Sequence, residues 1–305
     1  MESRSGRRLD VPLNSKHHTR AFIRLFVCGM GIFASTELEA AWESTPETQT
    51  AFFVVKTNLP RDVAQPLLLQ VDDLLDETER HLRAIVDLSP RGAYKFRLLI
   101  FATMEEYQAY VSAIMTPSLR ESYVEHSGGF FSAYRNEIAL SCLRDCPSSL
   151  VHEFTHALAG RTFFIAGGER VNWTQVMPPW LNEGLAEYLS MRVRREETSH
   201  WRELKAALKD GSLMPLAELI DKQKRPLDHR LFYPCAWALV TFLIDRDPSG
   251  SPRQLKQYLQ LLKTKRYATD QFETVFGERQ NVEVAWKQFI ESVVNDPDTR
   301  RRIAR

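Results

Sequence analysis

His152-Glu153-Phe154-Thr155-His156 places two imidazoles four residues apart, and Asn182-Glu183-Gly184-Leu185-Ala186-Glu187 follows, with Glu183 27 residues beyond His156. On a helix, side chains four apart differ by about 40° in azimuth and roughly 6 Å along the axis, so His152 and His156 leave one face and can meet a single ion. Glu153 sits one step round the helix, within reach of a water on that ion without binding the ion itself. Glu183, on a second helix, completes a set of three ligands and leaves a fourth position open, the arrangement of a catalytic zinc rather than a structural one. One Zn2+ per chain would then lower the pKa of its water towards ~7 and polarise a carbonyl. Glu153 is the expected general base, taking a proton from that water and passing it to a leaving amine.

An HExxH string arises by chance in roughly one chain of this length in a hundred, so the surroundings decide its meaning. Two serines, Ser148 and Ser149, read as helix caps, and apolar residues follow at 150, 151, 154, 157 and 158. That pattern is a mostly buried helix, and buried histidines need partners. The second segment, Pro178 to Leu189, reads as a helix opened by prolines, with Glu183 and Glu187 on one face among Leu181, Leu185, Ala186 and Leu189. Two carboxylates on an apolar face are costly unless a cation meets them. Glu187, one turn beyond Glu183, is placed to accept from the outer nitrogen of a metal-binding histidine, His152 for preference, fixing its tautomer. The alternative for Glu187 is an ordinary surface carboxylate, and for Asn182 a plain helix-opening residue.

HEFTH followed by WLNEGLAEY resembles the gluzincin pattern, whose third zinc ligand is the Glu of an N-E-G motif. The wording PPWLNEGLAEYL, with the later Tyr233-Pro-Cys-Ala-Trp237 segment, is most similar to the peptidase-MA-like family of uncharacterised bacterial secreted proteins. The likeness spans roughly residues 50 to 295 and is strongest from 148 to 190. It implies a zincin-like fold and a zinc metallopeptidase, with an endopeptidase expected because no G-x-M-E-N amine-recognition motif occurs. Related enzymes bring a Tyr or His from downstream to stabilise the oxyanion. Tyr233 is the first candidate here and His229 the second, the alternative for Tyr233 being a core aromatic. Substrates of such enzymes bind as an added strand, and Gly128 to Leu140 reads as a hairpin, turning near Arg135-Asn136, that could receive one. The same hairpin could equally be a buried scaffold pair.

The 305 residues are 44% hydrophobic and 26% charged, enough to bury a core, and the formal net charge of +1 argues against nucleic acid as a partner. The expected partner is a peptide or protein substrate, with no stable membrane span once a leader is removed. Arg7, Arg8, Lys16, Arg20 and Arg24 precede an apolar run from Leu25 to Ser35 and then Glu39-Ala40-Ala41, which reads as a secretory signal over residues 1–41. Export to the periplasm or the medium is therefore expected, the alternative being a buried N-terminal helix in a cytosolic protein. Cys142 and Cys146 could close a small disulfide loop ahead of His152, a bridge from either to Cys235 or free thiols being the alternatives.

Hydropathy patterning gives strands at 52–56 and 96–101, a long helix over 63–86, and a helix opened by Thr103 with Glu106 in a capping box. Helices follow at 201–208, 216–220, 235–245, 255–263 and 282–293. The expected fold is α+β: a zincin-like lobe (42–190) with a small mixed sheet and two metal-bearing helices, then a mostly helical lobe (191–295), with the metal between them. The arginine-rich residues 296–305 read as a frayed, solvated tail. Two rival functions share these residues: hydrolysis of a non-peptide amide or ester, and a non-catalytic zinc-stabilised binding module of the envelope.

Overall fold

Phe96-Arg97-Leu98-Leu99-Ile100-Phe101 is apolar at all but one position, and such a run belongs in a strand covered on both faces. In the computed structural model it is the middle strand of five. Residues 45–89, 95–115, 128–142, 146–164, 177–221, 230–246, 252–264 and 270–304 are described, so the proposed leader and His229 lie outside them. The strands are β1 (Thr48–Gln49), β2 (Phe53–Thr57), β3 (Phe96–Phe101), β4 (Gly129–Ser132) and β5 (Glu137–Ser141). They lie in the order β1-β2-β3-β5-β4; β2, β3 and β5 run parallel, and β1 and β4 are antiparallel to their neighbours at the two edges. The small mixed sheet and the mostly helical remainder are thus as the sequence indicated.

Two crossover helices join the parallel strands. α1 (Arg61–Arg83) follows β2 and buries Ala64, Leu67, Val71, Leu75, Thr78 and Leu82, a stripe at helical spacing. α2 (Met104–Ile114) follows β3 and opens on the expected capping box: Thr103 Oγ1 accepts from the Glu106 N–H, and Glu106 accepts from the Thr103 N–H. α3 (Cys146–Phe164) carries His152 and His156 and packs on β4, β5 and α1.

Alternation along the strands divides their side chains between the two helical layers. Phe53, Phe96 and Phe131 face α3: Phe53 stacks on Phe154 at 5.2 Å, and the Arg161 guanidinium lies 3.9 Å over the Phe96 ring. Phe101 and Phe130 face α2, beside Tyr107 and Tyr110. On that second face Glu137, with no exposed surface, accepts from the Tyr110 hydroxyl and from Arg135 Nε at 3.1 Å, and pairs with Arg97 at 3.1 Å. Burial, and then the Glu137 carboxylate, push the Tyr110 hydroxyl's pKa upward, so it stays a donor. These contacts pin the root of the β4–β5 hairpin, whose turn ends at Asn136 in the left-handed region (φ 50°).

The remaining helices are α4 (Pro179–Arg194), α5 (His200–Asp210), α6 (Leu216–Asp221), α7 (Phe232–Asp245), α8 (Arg253–Thr264), α9 (Asp270–Phe276), α10 (Arg279–Asn295) and α11 (Pro297–Ala304). No helix among the described residues is long and apolar enough to cross a membrane. α4 packs between α3 and α7, and its contact with α7 is set by Gly184. A Cβ there would lie 2.5 Å from the Ala236 carbonyl oxygen and 2.6 Å from a Val240 methyl. The glycine of the N-E-G triplet therefore lets two helix backbones meet beside Glu183. Gly184→Ala gains at most ~1 kcal/mol of helix propensity, whereas overpacking against a backbone carbonyl costs about 1–3 kcal/mol. A net loss of stability is expected in urea unfolding, and an unchanged or raised midpoint would contradict the close contact.

Two expectations are corrected. Ser148 and Ser149 do not cap α3, which already begins at Cys146; the Ser148 carbonyl instead accepts from Ser190 Oγ of α4 at 3.3 Å. The arginine-rich end is not a frayed tail. Asp296 accepts from the N–H groups of Asp298 and Thr299, Pro297 starts α11, and Ile303 and Ala304 are buried. Arg300 lies over the Trp201 ring at 4.2 Å and pairs with Glu197, while Arg302 pairs with Asp245. The arginines are solvated on one side and tied down on the other.

Candidate metal centre

α3 and α4 lie side by side, and their facing positions bring three donor groups together. Glu183 Oε2 is 3.4 Å from His152 Nε2 and 3.6 Å from His156 Nε2, and the three donor atoms all lie within 4.8 Å of one another. The two imidazoles stand nearly perpendicular, 81° between planes and 4.7 Å between centroids. Tetrahedral geometry with bonds of ~2.0–2.1 Å puts neighbouring ligand atoms about 3.3 Å apart, close to the spacing of Glu183 Oε2 from each of the two imidazole nitrogens. Among the described residues it is the one cluster of His, Cys, Asp and Glu able to hold a metal ion.

Each imidazole is held from behind. His152 Nδ1 meets Glu187 Oε1 at 3.2 Å, and His156 Nδ1 meets Asn182 Oδ1 at 3.0 Å. A carboxylate oxygen and an amide oxygen only accept, so both Nδ1 atoms carry a proton and each Nε2, the nitrogen a metal would take, is the one that faces Glu183. Burial disfavours charge on His152, but Glu183 and Glu187 outweigh it and hold the imidazole well above its ordinary range. The pocket's field thus favours positive charge at this spot.

Glu153 is 5% exposed and lies beneath the edge strand β4. A Cβ built on Gly129 would stand 3.0 Å from Glu153 Oε1 and 3.2 Å from its Cγ, so only the bare backbone of β4 passes this close to the carboxylate. The hairpin expected from the sequence is therefore an edge pair that touches the proposed base. Among the described residues, β4 pairs with β5 alone. Tyr233 is half-buried in the first turn of α7, its ring 5.7 Å from that of Phe232. It stands one turn before Ala236, the residue that meets Gly184. Cys142 and Cys146 are joined in a disulfide that ties the end of β5 to the start of α3. Cys235 is a buried free thiol, its pKa pushed up to about 12 by burial.

Two residues of the centre escaped the sequence reading. Asn182 is more than a helix-opening residue: its position next to Glu183 gives it the outer nitrogen of His156. His200, from α5, reaches Glu187 Oε2 with its Nε2 at 2.9 Å. Nothing in its Thr-Ser-His-Trp context marks it; only the packing of α5 brings it there.

A protein-family model described as collagenase matches residues 92–288, more than half of the chain and all of the centre just described. No curated protein matches the chain. The matched family is not the one whose wording the sequence resembled. What the two share is a zinc metallopeptidase, and that coarser statement holds.

Proposed function

The chain belongs to the collagenase family of zinc metallopeptidases, and on that premise we propose that it is a gluzincin-type endopeptidase with Glu153 as general base. His152, His156 and Glu183 would hold the zinc, which when bound supplies Lewis acidity that polarises a carbonyl and eases deprotonation of water. Glu153 takes the proton of the attacking water and hands it to the departing amine, so one buried carboxylate serves first as base and then as acid. Asn182 and Glu187 keep the two imidazoles in the metal-binding tautomer. Tyr233 is the proposed donor to the oxyanion, a reading supported by the α4–α7 contact that carries its turn of helix towards Glu183.

The observation that carries the endopeptidase reading is the contact of Gly129 with Glu153. A peptide added along the outer edge of β4 has its main chain ordered by strand hydrogen bonds, with a carbonyl delivered beside the base. Such binding needs an extended chain and no free terminus. Export is also proposed, supported by the Cys142–Cys146 bridge, since disulfides persist in oxidising compartments.

The test sets zinc-loaded protein against gelatin and casein, and against small acyl amides and esters. Internal fragments from the unfolded proteins, abolished by a chelator and restored by zinc, are expected. Turnover of the small amides or esters alone, or release of terminal residues alone, would overturn the reading.

A further inference from the structure

Glu187 is shared by two histidines, one on each oxygen. Oε1 meets Nδ1 of His152 at 3.2 Å, and Oε2 meets Nε2 of His200 at 2.9 Å. The three residues come from three helices, α3, α4 and α5, and a fourth, α7, contributes Trp237, whose ring lies 6.0 Å from that of His200. His200 is largely covered, with 14% of its side chain exposed, and no described residue hydrogen-bonds its Nδ1. Its one described side-chain hydrogen bond is therefore the one to Glu187.

A carboxylate held at a single oxygen can still turn about its terminal torsion, which is broad and roughly two-fold. Fixing the second oxygen fixes the plane, and with it the direction in which Oε1 accepts from His152. Because a carboxylate only accepts, His200 must donate through Nε2. We infer that His200 is a positioning residue of the metal centre: acting through Glu187, it orients His152 for zinc and couples the packing of α5 and α7 to metal affinity. This rests on the zinc reading above and extends it to a residue outside the HExxH and N-E-G segments.

The experiment measures zinc affinity of the full chain by competition with a chromophoric chelator, with no activity readout. Gln can place an amide nitrogen where Nε2 stands, whereas Asn reaches only the Nδ1 position. His200→Gln is expected to bind zinc as the parent does. His200→Asn should bind about tenfold more weakly, as is typical when a partner behind a metal ligand is lost. In a Glu187→Gln background the His200→Asn change should add less than about twofold, because the route through Glu187 is already cut. Equal affinity in both His200 variants, equal losses in both, or full additivity with Glu187→Gln would each overturn the inference. A parent chain that binds no zinc would overturn the zinc reading along with it. Parent-like zinc binding with an insensitive His200 would overturn this inference alone.

Discussion

Glu153→Gln leaves the protein folded and zinc-loaded, and lowers kcat/KM on an unfolded protein substrate by about three orders of magnitude, the range a positioned acid–base group contributes. The substitution is nearly isosteric, which matters beside β4: even a Cβ on Gly129 would stand only 3.0 Å from Glu153 Oε1 and 3.2 Å from its Cγ. The amide can hold a water by hydrogen bonding but cannot take its proton. The loss should therefore fall on kcat, with KM and zinc content near those of the parent. Rates within tenfold of the parent would remove Glu153 from the mechanism. Parent-like zinc with no detectable turnover of any substrate by either protein would favour a zinc-stabilised binding module instead.

His156→Ala acts one level earlier. Structural zinc sites bind with ~10–16 kcal/mol, and dividing that over the three protein ligands here assigns about 3–5 kcal/mol, at least a hundredfold, to each. The expected result is a zinc content falling to background after dialysis against a weak chelator, with hydrolysis lost in parallel. His156 is 7% exposed and packed between Asn182 and Glu183. Its removal also leaves the buried Glu183 carboxylate without a neighbour it was positioned to face, so the variant should melt below the parent even when both are free of metal. Retention of zinc at the parent's level would exclude His156 as a ligand.

Local chemistry explains what was legible beforehand. The HExxH spacing, the prolines before Trp180 and the Thr103–Glu106 box are written within a few residues, and periodicity alone puts them on helices. β3 was readable because six residues, five of them apolar, fit only a strand covered on both sides. Where the reading fell short, the deciding contact lay elsewhere in the chain. β1 is two residues long and exists through its pairing with Val54 and Val55. His200 reaches Glu187 by the packing of α5, and α5 carries no motif. The C-terminal helix was a different kind of miss, since Asp296-Pro297 is itself a legible start signal that the run of arginines outweighed. In the fold the three residues of the N-E-G triplet have separate contacts: the middle one faces His152 and His156, the first meets the outer nitrogen of His156, and the last makes room for α7.

Anomalous diffraction at the zinc edge, from crystals of the zinc-loaded chain, will show whether His152, His156 and Glu183 enclose one zinc ion. A single strong peak is expected about 2.0–2.2 Å from both Nε2 atoms and from a Glu183 oxygen. A peak elsewhere in the molecule, or a peak here with Glu183 turned away from it, would rule out this three-ligand centre.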